Sequence, residues 1–263
     1  MGRCRHHRRP PGRLLFFRAV FLVAIGREMG SASLDCKRCA RIIPTEPCLI
    51  ANEAVGIERG GVPVSSESPE DKKRIEDAAK QPAVLEALVD ALSDGSRRGR
   101  QQAARIIAGV AREDPELLVG HGAALVDALE RPEAQTRWEC LEALTRIIPL
   151  DARVCEKAIP GAETALFDEG SGPLRLAAMR FLCALGATTE KRSEKVWSLI
   201  DEGIQCWHGD LEFQDMLLAV IDFSQGKLAP EVKKALGDRM RFDATNGRGM
   251  LKKRASQIVE NVS

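Results

Sequence analysis

The sequence predicts an all-α protein, a solenoid of stacked helical pairs, and three observations carry this prediction. The string Ala-Leu-Val-Asp-Ala-Leu occurs at residues 87–92 and again, 37 residues later, at 124–129, and a degenerate third copy ends at 165–166. Aromatic residues make up only 4% of the chain and tyrosine is absent, while Ala, Leu, Arg and Glu are abundant, which favours helix over strand. Polar turns separate apolar segments of regular length. Such a period is typical of helix pairs in which each unit covers the apolar face of its neighbour.

The helical region is predicted to occupy residues 69–263. Ser68 has the character of a helix cap, and Pro69 suits the first helical turn, where its missing N–H costs little. A short polar leading helix is expected at 69–80, where it can cap the first repeat, and the amphipathic last helix can cap the other end. With both ends closed, we expect a monomer.

Five helical pairs follow, each an A helix, a polar turn and a B helix. The A helices are predicted at 82–92, 114–129, 151–167, 189–206 and 230–242. The B helices are predicted at 98–112, 134–148, 173–186, 211–224 and 249–262. In the second B helix the apolar residues recur at helical spacing and cover one face.

Aligned B helices place similar residues in two columns. The first column holds Arg100, Arg137, Arg175, Phe213 and Lys252. Three residues later, the second holds Ala103, Cys140, Ala178, Met216 and Ala255. Small side chains in the second column allow neighbouring helices to approach closely, which supports the stacking.

These features resemble the HEAT and armadillo-like repeats over residues 82–262. The resemblance implies a right-handed α-α superhelix of about five HEAT-like repeats that binds a protein or peptide through its concave side. It also implies a ladder between neighbouring repeats, in which turn acids pair with the first-column arginines; the acids would be Asp94, Asp168 and Asp210. The chain departs from the family in its slightly short period, and in Phe213 and Lys252, which stand where the arginine is expected.

In such stacks the B helices line the concave side, and this places a set of candidate binding residues there. The candidates are Arg105, Trp138, Glu142, Arg146, Arg180 and Asp215. A tryptophan flanked by arginines has the composition of an interaction hot spot, and mixed charges suit a protein partner. The alternative is that Trp138 packs on the adjoining helix and that the charges are ordinary solvated groups.

The leading functional prediction is a non-catalytic interaction module with no cofactor or metal. No phosphate-binding loop, nucleophile elbow or paired metal-binding histidines occur in the sequence. His121 is expected to face solvent or cap a helix, and the turn at 206–210 is expected to pack its tryptophan into the stack. The alternative is a DNA glycosylase on HEAT-like repeats, with Trp138, Trp207 and Asp215 in its cleft. Residues 69–263 carry 28 Lys and Arg against 32 Asp and Glu, a balance that disfavours nucleic acid.

Residues 1–68 are predicted to be a largely disordered extension and linker. Their basic start and apolar run imitate a signal peptide, but Arg18 interrupts the run, and an equal explanation is translated upstream DNA with the true start at Met29. Cys36, Cys39 and Cys48 look like part of a zinc knuckle without a second ligand pair; the alternative is unpaired thiols. No disulfide framework is recognisable, which fits a reducing, cytoplasmic location with no membrane segment.

Overall fold

A computed structural model describes residues 68–263, and these residues are helical throughout with no β-strand. The predictions for the first 67 residues, including the start at Met29 and the Cys36–Cys39 pair, lie outside the described part of the chain.

The helices alternate with short turns, as the sequence predicts. The α-helices are α1 (Pro69–Lys80), α2 (Pro82–Asp94), α3 (Arg97–Glu113), α4 (Gly122–Asp127), α5 (Ala134–Cys155), α6 (Ile159–Leu166), α7 (Gly172–Gly186), α8 (Glu190–Cys206), α9 (Phe213–Ser224), α10 (Pro230–Asn246) and α11 (Gly249–Val262). Three 3-10 segments join them, at Pro115–His121, Ala128–Glu130 and Glu156–Ala158.

The repeats stack as two rows of helices. The B row consists of α3, the first part of α5, α7, α9 and α11, each packed against the next. The A row consists of α2, the segment from Pro115 to Glu130, the segment ending in α6, α8 and α10, and its neighbours touch far less. Because the more closely spaced row lies on the inside of a curved stack, the B helices form the concave side.

Serine and threonine side chains begin several of these helices. The Ser68 hydroxyl accepts a hydrogen bond from the Asp71 amide at 3.1 Å, which confirms the predicted cap. Ser96, Ser171 and Thr189 do the same for α3, α7 and α8. Each satisfies an amide that the helix leaves without an internal partner.

The continuous stretch α5 is two helices that meet at Asp151. The backbone at Asp151 leaves the helical region, with φ −144° and ψ 75°. Its carboxylate accepts hydrogen bonds from the Arg153 and Val154 amides, both at 3.1 Å, and so caps the next helix. The second B helix therefore ends at Leu150, and the third A helix begins one residue after Asp151.

Two predicted boundaries and the type of one predicted helix are wrong in detail. The fifth A helix continues to Asn246 instead of ending at Phe242, since the Gly247 amide still bonds the Asp243 carbonyl at 2.9 Å. The second A helix is mostly 3-10, in a stretch with glycine at 120 and 122, a poor helix former. The fourth B helix starts at Phe213 instead of residue 211.

The core runs unbroken along the stack and includes the second column of the B helices. All five of its members are at most 2% exposed: Ala103, Cys140, Ala178, Met216 and Ala255. The leading helix α1 covers the first repeat through Ile75. A Cβ on Gly109 of α3 would overlap the Ile75 side chain, so glycine permits this close contact.

Candidate functional site

Ion pairs between repeats follow the edge of the stack where the A–B turns lie, and we call this set the arginine ladder. Arg100 donates to Glu133, with Nε 3.2 Å from Oε2. Arg137 lies 3.4 Å from Asp168. Arg175 lies 3.3 Å from Glu212 and 3.6 Å from Asp210. Each arginine belongs to one repeat and reaches the turn of the next, so the ladder holds neighbouring repeats in register.

The ladder corrects one predicted partner. Asp94 takes no part in it and is exposed at the end of α2, whereas Glu133, which is 5% exposed, binds Arg100. The reason is the direction of pairing. Asp94 lies in the first turn, and no earlier B helix supplies an arginine to reach it. Asp168 and Asp210 have the predicted partners.

Arg175 contacts more groups than either other ladder arginine, although its buried Nε bonds no described residue. Its Nη1 donates to the carbonyls of Asp168 at 3.0 Å and Glu169 at 3.4 Å. Its guanidinium stacks 4.2 Å above the ring of Trp207, whose indole N–H donates to the Leu166 carbonyl at 2.9 Å. Trp207 thus packs into the stack, as predicted, and its polar atom is used there.

The ladder changes at its fourth step, where Phe213 replaces arginine. His208 takes over the contact to the last repeat: its Nε2 lies 3.2 Å from Asp243 Oδ2, and its ring lies 4.8 Å from that of Phe213. His208 is accordingly a residue between repeats. His121, half-buried, ends a 3-10 segment and makes no capping hydrogen bond through its side chain.

The six candidates from the sequence lie on B helices, and we call them the concave set. Arg105 of α3 is exposed and lies 3.7 Å from Asp71 of α1. Glu142 of α5 lies 3.6 Å from Arg112. Arg146 is exposed, while Trp138, Arg180 and Asp215 are half-buried. Trp138 packs against the core yet keeps part of its surface accessible, and its role as an interaction hot spot stays a prediction.

Four members of the concave set share one electrostatic environment around Arg180. Burial lowers the pKa of Arg180, while Glu142 and Asp215 raise it and Arg146 lowers it further. These charges come from three consecutive B helices, α5, α7 and α9. The structure therefore brings together Glu142, Arg146, Arg180 and Asp215, which the sequence assigned to one surface by alignment alone.

The structure adds Glu139 to this surface, which sequence reasoning missed. Glu139 is half-buried beside Trp138, and its pKa is raised by burial and then by the nearby Glu142 carboxylate. The sequence signal that could have identified Glu139 is its position directly after Trp138. In contrast, Leu176 has the same position on its B helix as Trp138 and was expected to face outward. It is 8% exposed and belongs to the core.

A polar hollow of about 270 Å³ opens between α3 and α5 at the Arg105 end of the concave set. Its lining is Arg98, Gln101, Gln102, Arg105 and Gln135. The glutamine amides offer both donors and acceptors, which suits the polar backbone of an extended peptide.

The cysteines of the described repeats offer no reactive thiolate. Burial raises the pKa of the buried thiols Cys140 and Cys183 well above the ordinary range, and that of Cys155 to about 12. Cys206 is exposed, and its pKa is also raised. Within residues 68–263, no helix has both the length and the apolar character needed to cross a bilayer.

Comparison with known proteins identifies the fold. No family model matches the chain, and no curated protein does either. A designed armadillo repeat protein in complex with the peptide (KR)4 is 16% identical, over 76% of this chain and 96% of that one, with a TM-score of 0.58. A computationally designed armadillo repeat protein for modular peptide recognition is 16% identical, over 73% and 91%, with a TM-score of 0.56. The armadillo-repeats-only protein of Plasmodium falciparum is 14% identical, over 75% and 100%, with a TM-score of 0.53.

At these identities the likeness concerns the fold. The described chain has the armadillo/HEAT-like repeat architecture, which confirms the resemblance drawn from its sequence.

Proposed function

We propose that this protein is a non-catalytic interaction module, a scaffold, adaptor or regulator that binds an extended peptide segment of a partner protein along the concave set. The observation that carries the proposal is the contrast between the two edges of the B helices. Each ladder arginine pairs with a carboxylate of the next repeat, whereas Arg180 and Asp215 of the concave set are half-buried and form no direct ion pair with another described residue. Trp138 of the same set also keeps part of its surface accessible.

The fold supports the proposal by analogy. Two of the similar structures are a designed repeat protein holding a peptide and another designed for peptide recognition. A stack of B helices presents side chains at a spacing of about 10 Å per helix, which an extended chain covers with roughly three residues. In this proposal the protein works as a monomer in the cytoplasm, and the peptide partner is its only ligand.

The alternative enzyme, a DNA glycosylase, is weakened by two observations. Trp207, one of its proposed cleft residues, is engaged with Leu166 and Arg175 between repeats. The arginines closest to the concave centre are accompanied by Glu139, Glu142 and Asp215, so no uninterrupted row of cations follows this face.

The test is a selection of random peptides displayed on phage against the immobilised full-length chain. We expect enriched peptides that bind with micromolar Kd and lose at least about tenfold in affinity with Trp138→Ala, a truncation at the centre of the face. The matched control is Trp197→Ala on the A helix α8, which should leave affinity within about twofold. Absence of any enriched peptide, combined with salt-sensitive binding of duplex DNA, would replace this proposal with the alternative.

A further inference from the structure

Arg180 differs from the ladder arginine on its own helix. Both residues lie on α7, five positions apart, and Arg175 is 7% exposed with four oxygen partners on Asp168, Glu169, Asp210 and Glu212. Arg180 is half-buried, and among residues 68–263 no carboxylate lies within ion-pairing distance of its guanidinium. A guanidinium carries five N–H donors in a planar fork, and here that fork is left open.

The charges nearest to Arg180 flank it without pairing with it. Glu142 on α5 and Asp215 on α9 act on it through space, and burial outweighs them, so the pKa of Arg180 falls below its ordinary value. A partly desolvated cation of this kind is costly to the unliganded fold, and an apolar side chain would cost less. No residue from 68 to 263 accepts a hydrogen bond from Arg180.

An apolar side chain lies one helical turn from each of the two carboxylates that act on Arg180. Trp138 comes one turn before Glu142 on α5, and Leu218 comes one turn after Asp215 on α9. Both side chains are half-buried and pack against the core while keeping part of their surface accessible. A ligand group on Arg180 would therefore have apolar neighbours to contact and little water around it, and such surroundings strengthen a charge-assisted hydrogen bond.

We propose that Arg180 is the specificity-determining residue of the concave face and binds the side-chain carboxylate of an Asp or Glu in the bound peptide. This inference rests on the proposed peptide-binding function. The fork of Arg180 matches a carboxylate in a bidentate arrangement, and the next peptide side chains contact Trp138 and Leu218. A phosphate group fits less well, because its charge of nearly two is repelled more strongly by Glu142 and Asp215.

The test extends the peptide selection to two variants of the full-length chain, Arg180→Gln and Arg153→Gln. Both remove one positive charge, but Arg153 is an exposed arginine of the A row, outside the concave set, and serves as the matched control. We expect one acidic position enriched in peptides selected on the unmodified chain and on Arg153→Gln, and no such position on Arg180→Gln. Thermal unfolding of each variant shows that the fold is retained.

A cycle with one selected peptide sharpens the assignment. The peptide is synthesised with its enriched Asp or Glu, with the matching Asn or Gln, and with an amidated C-terminus. Arg180→Gln should weaken the acidic peptide at least about tenfold and the amide peptide less than about twofold, while C-terminal amidation should have no effect. Arg180→Lys, which keeps the charge without the fork, should give an intermediate loss.

The outcomes separate this inference from the proposed function. Selected peptides enriched in Lys or Arg, a dependence on phosphorylation or on the free C-terminus, or equal losses for Arg180→Gln and Arg153→Gln would overturn the role of Arg180 and leave peptide binding standing. Failure of the unmodified chain to select any peptide would overturn both.

Discussion

Arg175 and Arg180 are separated by little more than one turn of the same helix, yet they belong to different parts of the molecule. Arg175 stacks on Trp207 and donates to the next turn, so its charge is consumed in holding repeats three and four together. Arg180 faces the inner surface, where Glu142 and Asp215 approach it without pairing. The comparison teaches that one helix can stabilise the stack near its beginning and leave an arginine unpaired further along, at the position that we propose for recognition.

The largest effect is expected where the ladder is broken. Arg175→Ala removes the stacking on Trp207 and leaves the Asp168 carbonyl and the Glu212 carboxylate without their partner. We expect the free energy of unfolding to fall by about 3–5 kcal/mol, measured by urea denaturation followed by circular dichroism. Arg180→Ala is the matched control and should cost at most about 1 kcal/mol. Equal losses would erase the distinction between the two regions.

Substitution of Trp207 should cost more stability than substitution of Trp138, as for Arg175 and Arg180. Trp207→Phe removes the indole hydrogen bond to the Leu166 carbonyl and weakens the contact with Arg175, so a loss of about 1–2 kcal/mol is expected. Trp138→Phe keeps an aromatic ring on a half-exposed site and should change stability by less than about 0.5 kcal/mol. Thermal unfolding of the two variants side by side makes the measurement. A larger loss for Trp138→Phe would assign Trp138 to the interior.

Arg180→Met should leave the unliganded protein as stable as before, or more stable by up to about 1 kcal/mol. The substitution replaces a partly desolvated cation with an apolar side chain. Urea denaturation without peptide provides the stability, and peptide binding by fluorescence anisotropy provides the function. Binding lost at unchanged stability supports the division of tasks, whereas a marked destabilisation would show that Arg180 supports the fold.

The smallest effects on stability are expected for two glutamates, Glu133 at the N-terminal cap of α5 and Glu139 within α5. The Arg100 side chain lowers the pKa of Glu133 below 4.5, so the ionised carboxylate stabilises the fold at neutral pH, and this contribution is lost as pH falls through the lowered pKa. Burial raises the pKa of Glu139 above 4.5, so its favourable contribution is complete below pH 4.5 and is lost as pH rises through the raised pKa.

Opposite shifts in melting temperature follow at pH 7. Glu133→Gln should lower it and Glu139→Gln should raise it, each on the order of 2 °C. The Glu139 difference should disappear as pH falls to 4.5, and the Glu133 difference should shrink only at lower pH, through its lowered pKa. Melting curves across the range from acidic to neutral pH test both signs at once. Shifts of the same sign at neutral pH would show that the ladder and the concave face do not differ in this respect.

The repeat architecture was predictable because it depends on local patterns that recur. Helix caps such as Ser68 are recognised from one residue and its neighbours, and the column of mostly small residues that includes Cys140 recurs at a nearly constant period.

The partners of the ladder ion pairs were harder to predict. The direction in which ladder arginines reach decides that Glu133 and not Asp94 binds Arg100, and only the stacking of whole repeats reveals that direction.

The concave side was predictable as a face, but the burial of its individual side chains was not. Alignment placed Glu142 and Arg180 at the same position of successive B helices. How far each side chain is buried, however, depends on how closely the helices approach one another. For the same reason Leu176 proved to be interior, and Glu139 proved to be a half-buried carboxylate. Side-chain burial on a curved surface is a property of several repeats together, and no single helix encodes it.

The one-residue joints of the chain determine where it can change in length. Asp114 alone separates α3 from the following 3-10 segment, and 37 residues later Asp151 alone separates the second repeat from the third. An inserted residue at either joint would double the length of a one-residue connection and shift the next helix from its place on the common interior. Six residues join α8 to α9, and Leu211 among them is 96% exposed, so insertions and deletions should accumulate beside Leu211 and spare the joints.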